Sequence, residues 1–206
     1  MTMPARPKVA TAPLLLLIAA GCNNLPRGDL PPARGTPPHV YLIRGWRDLY
    51  SGGIDRLAAQ LREAGVDAAV YKEDQHADLA AALAARRPRP LVLIGFSYGA
   101  DDAIAVARRA PVDLLVTVDP VTPPPLPPTV GRAVNYYQSN GVADALPFLR
   151  GIPLDAGAAR SVTNYDLRVN RPDLLSPDTS HATIAGNEKV HAEVVGLVLQ
   201  VLGRRP

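Results

Sequence analysis

Gly95-Phe96-Ser97-Tyr98-Gly99 stands between the apolar run Pro90-Leu91-Val92-Leu93-Ile94 and the alanine-rich stretch from Ala100 to Ala107. A short run of branched apolar residues reads as a buried strand, and the alanine-rich stretch reads as a helix. G-x-S-x-G at a strand-to-helix junction is the sharp turn that presents a serine hydroxyl at the end of a sheet. The serine there takes a strained backbone, and a Cβ two residues to either side would crowd the turn, so both positions call for glycine. Ser97 is therefore the candidate nucleophile. The competing reading is a serine in an ordinary strand–helix loop, which would need no chemical partners.

A serine hydroxyl is a poor nucleophile at neutral pH; it needs a base within hydrogen-bond reach and a third group to orient that base. In a parallel sheet both must come from loops at the carboxyl ends of strands, and here in the chain order serine, acid, histidine. Asp119 directly follows the run Leu114 to Val118 and is held by Pro120, which cannot continue a strand. Asp144, in the loop after a fifth strand, is its rival; Asp166, Asp173 and Asp178 are weaker candidates. His181 ends a polar loop just before Ala182-Thr183-Ile184 and the last helix, where the base should arrive. His39 falls at the wrong end of the sheet, His76 comes too early in the chain, and His191 lies beside the apolar stripe of the last helix, a packing position. An oxyanion needs two aimed donors. One is the backbone N–H of Tyr98, after the nucleophile; for the other, the loop Arg44-Gly45-Trp46-Arg47-Asp48 offers the N–H of Trp46, with Gly45 allowing close approach.

Alternating elements supply the frame. Strands are expected at 39–44, 66–71, 90–96, 112–118, 130–137 and, with weaker signal, 161–169. Helices are expected from Ile54 to Gly65, Ala77 to Arg87, Ala100 to about Arg109 and Asn187 to Leu202. That rhythm predicts an α/β fold: a three-layer, doubly wound, mostly parallel sheet of about six strands. Two connections break the rhythm. Residues 120–128 form a proline-dense, stiff crossing, and 141–160 is long enough to hold a short helix or to cover a site.

The remainder of the chain bears on location. Arg6 and Lys8 precede a short apolar run, Val9 to Ala20, well under the roughly 20 residues of a spanning helix. Residues 1–21 read as a signal peptide. Ala19-Ala20-Gly21-Cys22 is similar to a bacterial lipoprotein box, which makes Cys22, the single cysteine of the chain, the expected lipidation site. A lone cysteine forms no internal disulfide. Residues 22–38 are rich in Pro, Gly and Asn and read as a tether, and the folded domain occupies 39–206. The implied location is the bacterial cell envelope, with a lipid anchor to a membrane as the partner. The 206 residues fit one domain, and an apolar content of 47% is enough for a full core. Two of the charges behind the formal net +3 lie in the signal segment, so the basic balance does not point to a nucleic-acid partner. There is no H-E-x-x-H, cysteine cluster or phosphate-binding loop, hence no expected metal or nucleotide.

Taken together, the turn at Ser97, the strand-Asp-Pro ending at Asp119-Pro120 and the late histidine loop at His181 resemble the α/β-hydrolase superfamily, in particular its small secreted esterases, lipases and thioesterases. The likeness spans about His39 to Leu202. It implies hydrolysis of an ester or thioester through an acyl-enzyme on a Ser97-His181-Asp119 triad, with no cofactor. The chain departs from that pattern at Arg44-Gly45, where many members carry His-Gly, and it lacks a long cap insertion, so a shallow pocket for short acyl groups is expected. Two alternatives stand beside this reading: a non-catalytic envelope protein that uses the fold for binding, and an acyltransferase with the same triad.

Overall fold

The computed structural model describes residues 39–139, 146 and 150–204. The signal segment, Cys22, the tether and Asp144 lie outside the described residues. Six strands form one sheet: β1 (Val40–Ile43), β2 (Ala68–Tyr71), β3 (Val92–Phe96), β4 (Val112–Val118), β5 (Val130–Tyr137) and β6 (Ser161–Asp166). Every pairing is parallel, in the order β2-β1-β3-β4-β5-β6. Among the described residues four α-helices cover it: α1 (Gly52–Glu63), α2 (His76–Arg86), α3 (Tyr98–Ala107) and α4 (Glu188–Val201). No described helix is long and apolar enough to cross a membrane.

The sidedness follows from the period of two along each strand. Val40 and Leu42 of β1 pack with Leu57 and Leu61 of α1 and Val194 and Val198 of α4. Tyr41 and Ile43, on the opposite face, pack with Leu79 and Leu83 of α2 and Ile104 of α3. A sheet buried on both faces reads as continuous apolar runs, and β1 and β3 are buried throughout. β6 differs. As the edge strand Ser-Val-Thr-Asn-Tyr-Asp it is exposed or half-buried until Asp166, which accounts for its weak sequence signal.

Element ends follow local chemistry. Gly65, at φ +75°, takes the left-handed position after α1. Asn187 caps α4, its side chain accepting from the N–H groups of Lys189 and Val190. β6 is shorter than the sequence suggests, ending at Asp166, and α3 begins and ends two residues earlier, at Tyr98 and Ala107. The carboxylate of Asp166 accepts from the N–H of Arg168 at 2.9 Å, turning the chain out of the sheet.

From β1 the chain runs to β2 at one edge, then crosses back to place β3 on the other side of β1. That reversal opens a crevice at the carboxyl ends of β1 and β3, the position where open α/β sheets hold ligands. The loop after β1 and the turn after β3 meet in that crevice.

Candidate active site

Ser97 sits between β3 and α3 with φ 55° and ψ −128°, a conformation that L-residues rarely adopt. Its two glycine neighbours have distinct reasons to lack a side chain. A Cβ on Gly95 would lie 2.3 Å from the carbonyl oxygen of Gly99, and one on Gly99 would lie 2.3 Å from the carbonyl oxygen of Arg44. The first contact closes the turn on itself, and the second lets the loop after β1 press against it.

The expected base and acid, His181 and Asp119, both lie in line with Ser97. The Ser97 Oγ lies 3.0 Å from His181 Nε2, and His181 Nδ1 lies 2.7 Å from Asp119 Oδ2. An ionised carboxylate only accepts, so Nδ1 carries the imidazole proton and the Nε2 lone pair faces the serine hydroxyl. All three residues are buried, and Asp119 is completely so. Phe96 lies against the imidazole with ring centroids 5.3 Å apart.

Asp119 is held by structure that its sequence neighbourhood does not announce. It takes φ 50°, and its Oδ1 accepts from the backbone N–H of Gln138 at 3.1 Å. Gly151 packs directly on the carboxylate, since a Cβ there would collide with Oδ1. A row of polar side chains fixes that strap. Thr117, Asn135 and Asn164 stand at matched register on β4, β5 and β6. The Thr117 hydroxyl donates to Asn135 at 2.9 Å, and the Asn135 amide donates to Asn164 Oδ1 at 2.9 Å and to the carbonyl of Ile152 at 3.0 Å. Asn164 then bonds both backbone groups of Leu154. Residues 150–155 thus form an ordered strap that brings Gly151 over Asp119, whereas most of 141–149, where a short helix was expected, lies outside the described residues.

The loop that delivers His181 is pinned at both ends. Arg168 donates to the carbonyl of Thr179 at 3.2 Å, and the Asn187 amide donates to the carbonyl of Leu174 at 2.8 Å. His191, the expected packing histidine, donates from Nε2 to the carbonyl of Ala185 at 2.7 Å, and burial pushes its pKa down. His39 and His76 bond to the carbonyls of Pro90 and Glu73, apart from the triad. The weaker acids are otherwise engaged: Asp166 in its turn, Asp173 in an ion pair with Arg171. Asp178 joins through its backbone alone, accepting the Thr183 hydroxyl at 2.6 Å.

Tyr98 opens α3, and the first N–H groups of a helix have no partner within it. In the loop after β1 the N–H of Gly45 is taken by Ser51 Oγ at 3.0 Å, which leaves Trp46 as the next donor along the chain. Trp46 is 49% exposed, its ring beside the Arg47 guanidinium.

Asp101 and Asp102 follow on α3. Asp101 accepts from the N–H and hydroxyl of Thr122 at 3.0 and 2.6 Å, tying the nucleophile helix to the loop behind Asp119. Burial raises its pKa. Asp102 is raised further, from 3.8 to about 6, by burial and by the charges of Glu73 and Asp101 against the opposing pull of His76. A carboxyl that is harder to ionise in the folded chain costs stability as pH climbs through that window. Asp102→Asn is therefore expected to unfold at a higher temperature than the unaltered protein at pH 7.5. The difference should shrink toward zero near pH 4, as thermal unfolding at the two pH values will read.

Parallel topology, a serine at the β3–α3 turn and an acid–histidine pair from later loops define the architecture. The fold is an α/β fold with a six-stranded, all-parallel sheet between helices. Several solved structures are similar to the chain. One is a Xanthomonas campestris pv. campestris protein put forward as a hydrolase of the alpha/beta superfamily, at TM-score 0.44 and 18% identity, covering 79% of this chain and 98% of the other. Another, from Xanthomonas campestris, is described as an a/b serine hydrolase without lid, at TM-score 0.41 and 17% identity, covering 85% and 86%. A third is the esterase domain of a Rhodothermus marinus protein, at TM-score 0.42 and 15% identity, covering 82% and 90%. No protein-family model and no curated protein matches the sequence.

Proposed function

We propose that the protein is a serine hydrolase that cleaves a carboxylic ester or thioester through an acyl-enzyme. The observation that carries this reading is the hydrogen-bonded chain from Ser97 through His181 to Asp119, at 3.0 and 2.7 Å. Ser97 Oγ attacks the acyl carbon while His181 Nε2 takes its proton. Asp119 stabilises the imidazolium that results. The N–H groups of Tyr98 and Trp46 receive the oxyanion. As the tetrahedral intermediate collapses, His181 returns the proton to the leaving alcohol or thiol. Water, deprotonated by His181, then attacks the acyl carbon, and His181 returns that proton to Ser97 Oγ as the ester bond to the serine breaks and the acid leaves. A purely binding role would leave no reason for Ser97 and His181 to stand within hydrogen-bond reach, so the distance weighs toward catalysis. Export and lipid anchoring at Cys22 belong to the same proposal and rest on the sequence alone.

A panel of p-nitrophenyl esters from acetate to palmitate tests the reading. Turnover is expected to be highest for the short acyl chains and to be nearly lost in His181→Ala. Turnover that survives unchanged in that variant would remove the proposed base.

A further inference from the structure

The loop after β1 holds an arrangement that the triad does not explain. Arg47, Asp48 and Tyr50 all take left-handed backbone, at φ 49°, 61° and 56°, although none is glycine. Such a run persists only where surrounding contacts over-determine it. Beneath it lies Arg44, 1% exposed. Its Nε donates to Asp55 Oδ2 at 3.0 Å, and a second guanidinium nitrogen bonds the other oxygen of the same carboxylate. Its Nη1 lies 3.7 Å from Asp48 Oδ1. The other oxygen of Asp48 meets Lys72 Nζ at 2.8 Å, at the carboxyl end of β2. Asp48 is itself buried, so it sits between two cations, one below the loop and one beside it. Ser51 Oγ closes the loop by accepting from the N–H of Gly45, whose Cα abuts the nucleophile: a Cβ there would lie 3.0 Å from the Cβ of Ser97.

We infer that Arg44, Asp48 and Lys72 are positioning residues that hold the backbone at Gly45-Trp46 in the geometry that receives the oxyanion. This inference rests on the serine-hydrolase reading. Buried charges that are paired hold their partners in one arrangement, because any other leaves a charge uncompensated. A neutral side chain at position 44 could not do this. Asp48 and Asp55 are the counter-charges of the Arg44 cation. A displacement of the donor matters because an oxyanion hole works only when aimed at the charge that develops in the transition state.

Lys72 is the useful probe, since its side chain is 32% exposed and its loss need not disturb the core. The experiment measures p-nitrophenyl acetate hydrolysis and inhibition by phenylboronic acid, a tetrahedral adduct-former at serine. It compares the unaltered protein with Lys72→Met, Lys72→Arg and Asp48→Asn. Lys72→Met and Asp48→Asn are expected to lower kcat by about 10- to 100-fold. KM should stay within about twofold, and boronate affinity should fall in step with kcat, because the interaction is made only with the tetrahedral state. Lys72→Arg should restore both. If Lys72→Met is folded and matches the unaltered protein in kcat and boronate affinity, the inference is overturned while the hydrolase reading stands. An unaltered protein that neither turns over the ester nor binds the boronate overturns both.

Discussion

Ser97→Ala is expected to lower kcat/KM for short p-nitrophenyl esters by on the order of 10⁴-fold or more, with little change in the unfolding midpoint. The two halves of this expectation have different causes. The rate falls because no other hydroxyl stands at the β3–α3 turn within reach of His181. Stability holds because Ser97 Oγ gives the fold one hydrogen bond, to His181, while the turn itself is built by the absent side chains of Gly95 and Gly99. The residues of a triad act as a unit, so Ser97→Ala combined with His181→Ala should be no slower than either alone. Steady-state kinetics on the three proteins, with thermal unfolding as the control, will measure it.

Asp119→Asn is the second large effect, expected to cost on the order of 10⁴-fold in kcat. The substitution keeps shape and an oxygen for the Gln138 N–H, so the loop should stay in place. What changes is the proton. An amide NH₂ facing Nδ1 favours the imidazole tautomer with its hydrogen on Nε2, and that nitrogen can then no longer take the proton of Ser97. Asp144→Asn is the matched comparison, expected to keep kcat within a few-fold. A loss that appears in Asp144→Asn and not in Asp119→Asn would move the acid to the rival position.

Much of this was legible in the chain because it is written in short-range patterns. The run 90–107 carries its strand, turn and helix in consecutive residues, and the β4 and β5 boundaries coincide with their apolar runs. His181 and Asp119 were reachable through chain order, since loops at one end of a parallel sheet converge. What was not legible depends on register or burial. Thr117, Asn135 and Asn164 read as unremarkable strand positions until β4, β5 and β6 align them in one row. Gly151 gains meaning only when the strap it belongs to crosses Asp119. Nothing in the run 39–44 marks Arg44 as buried; its burial goes with Asp55, a turn into α1, whose carboxylate it reaches. The segment 172–174 and the turn 184–186 are too short for helical periodicity to reveal.

On the proposed function, Ser97 is made nucleophilic by the imidazole beside it and the carboxylate behind. Intact-mass analysis of the protein after exposure to a fluorophosphonate tests this most directly. One adduct per chain is expected, mapped to the peptide that contains Ser97, absent in Ser97→Ala and slowed severely in His181→Ala. A folded protein that stays unmodified, or that is modified at another residue with Ser97 intact, would contradict it.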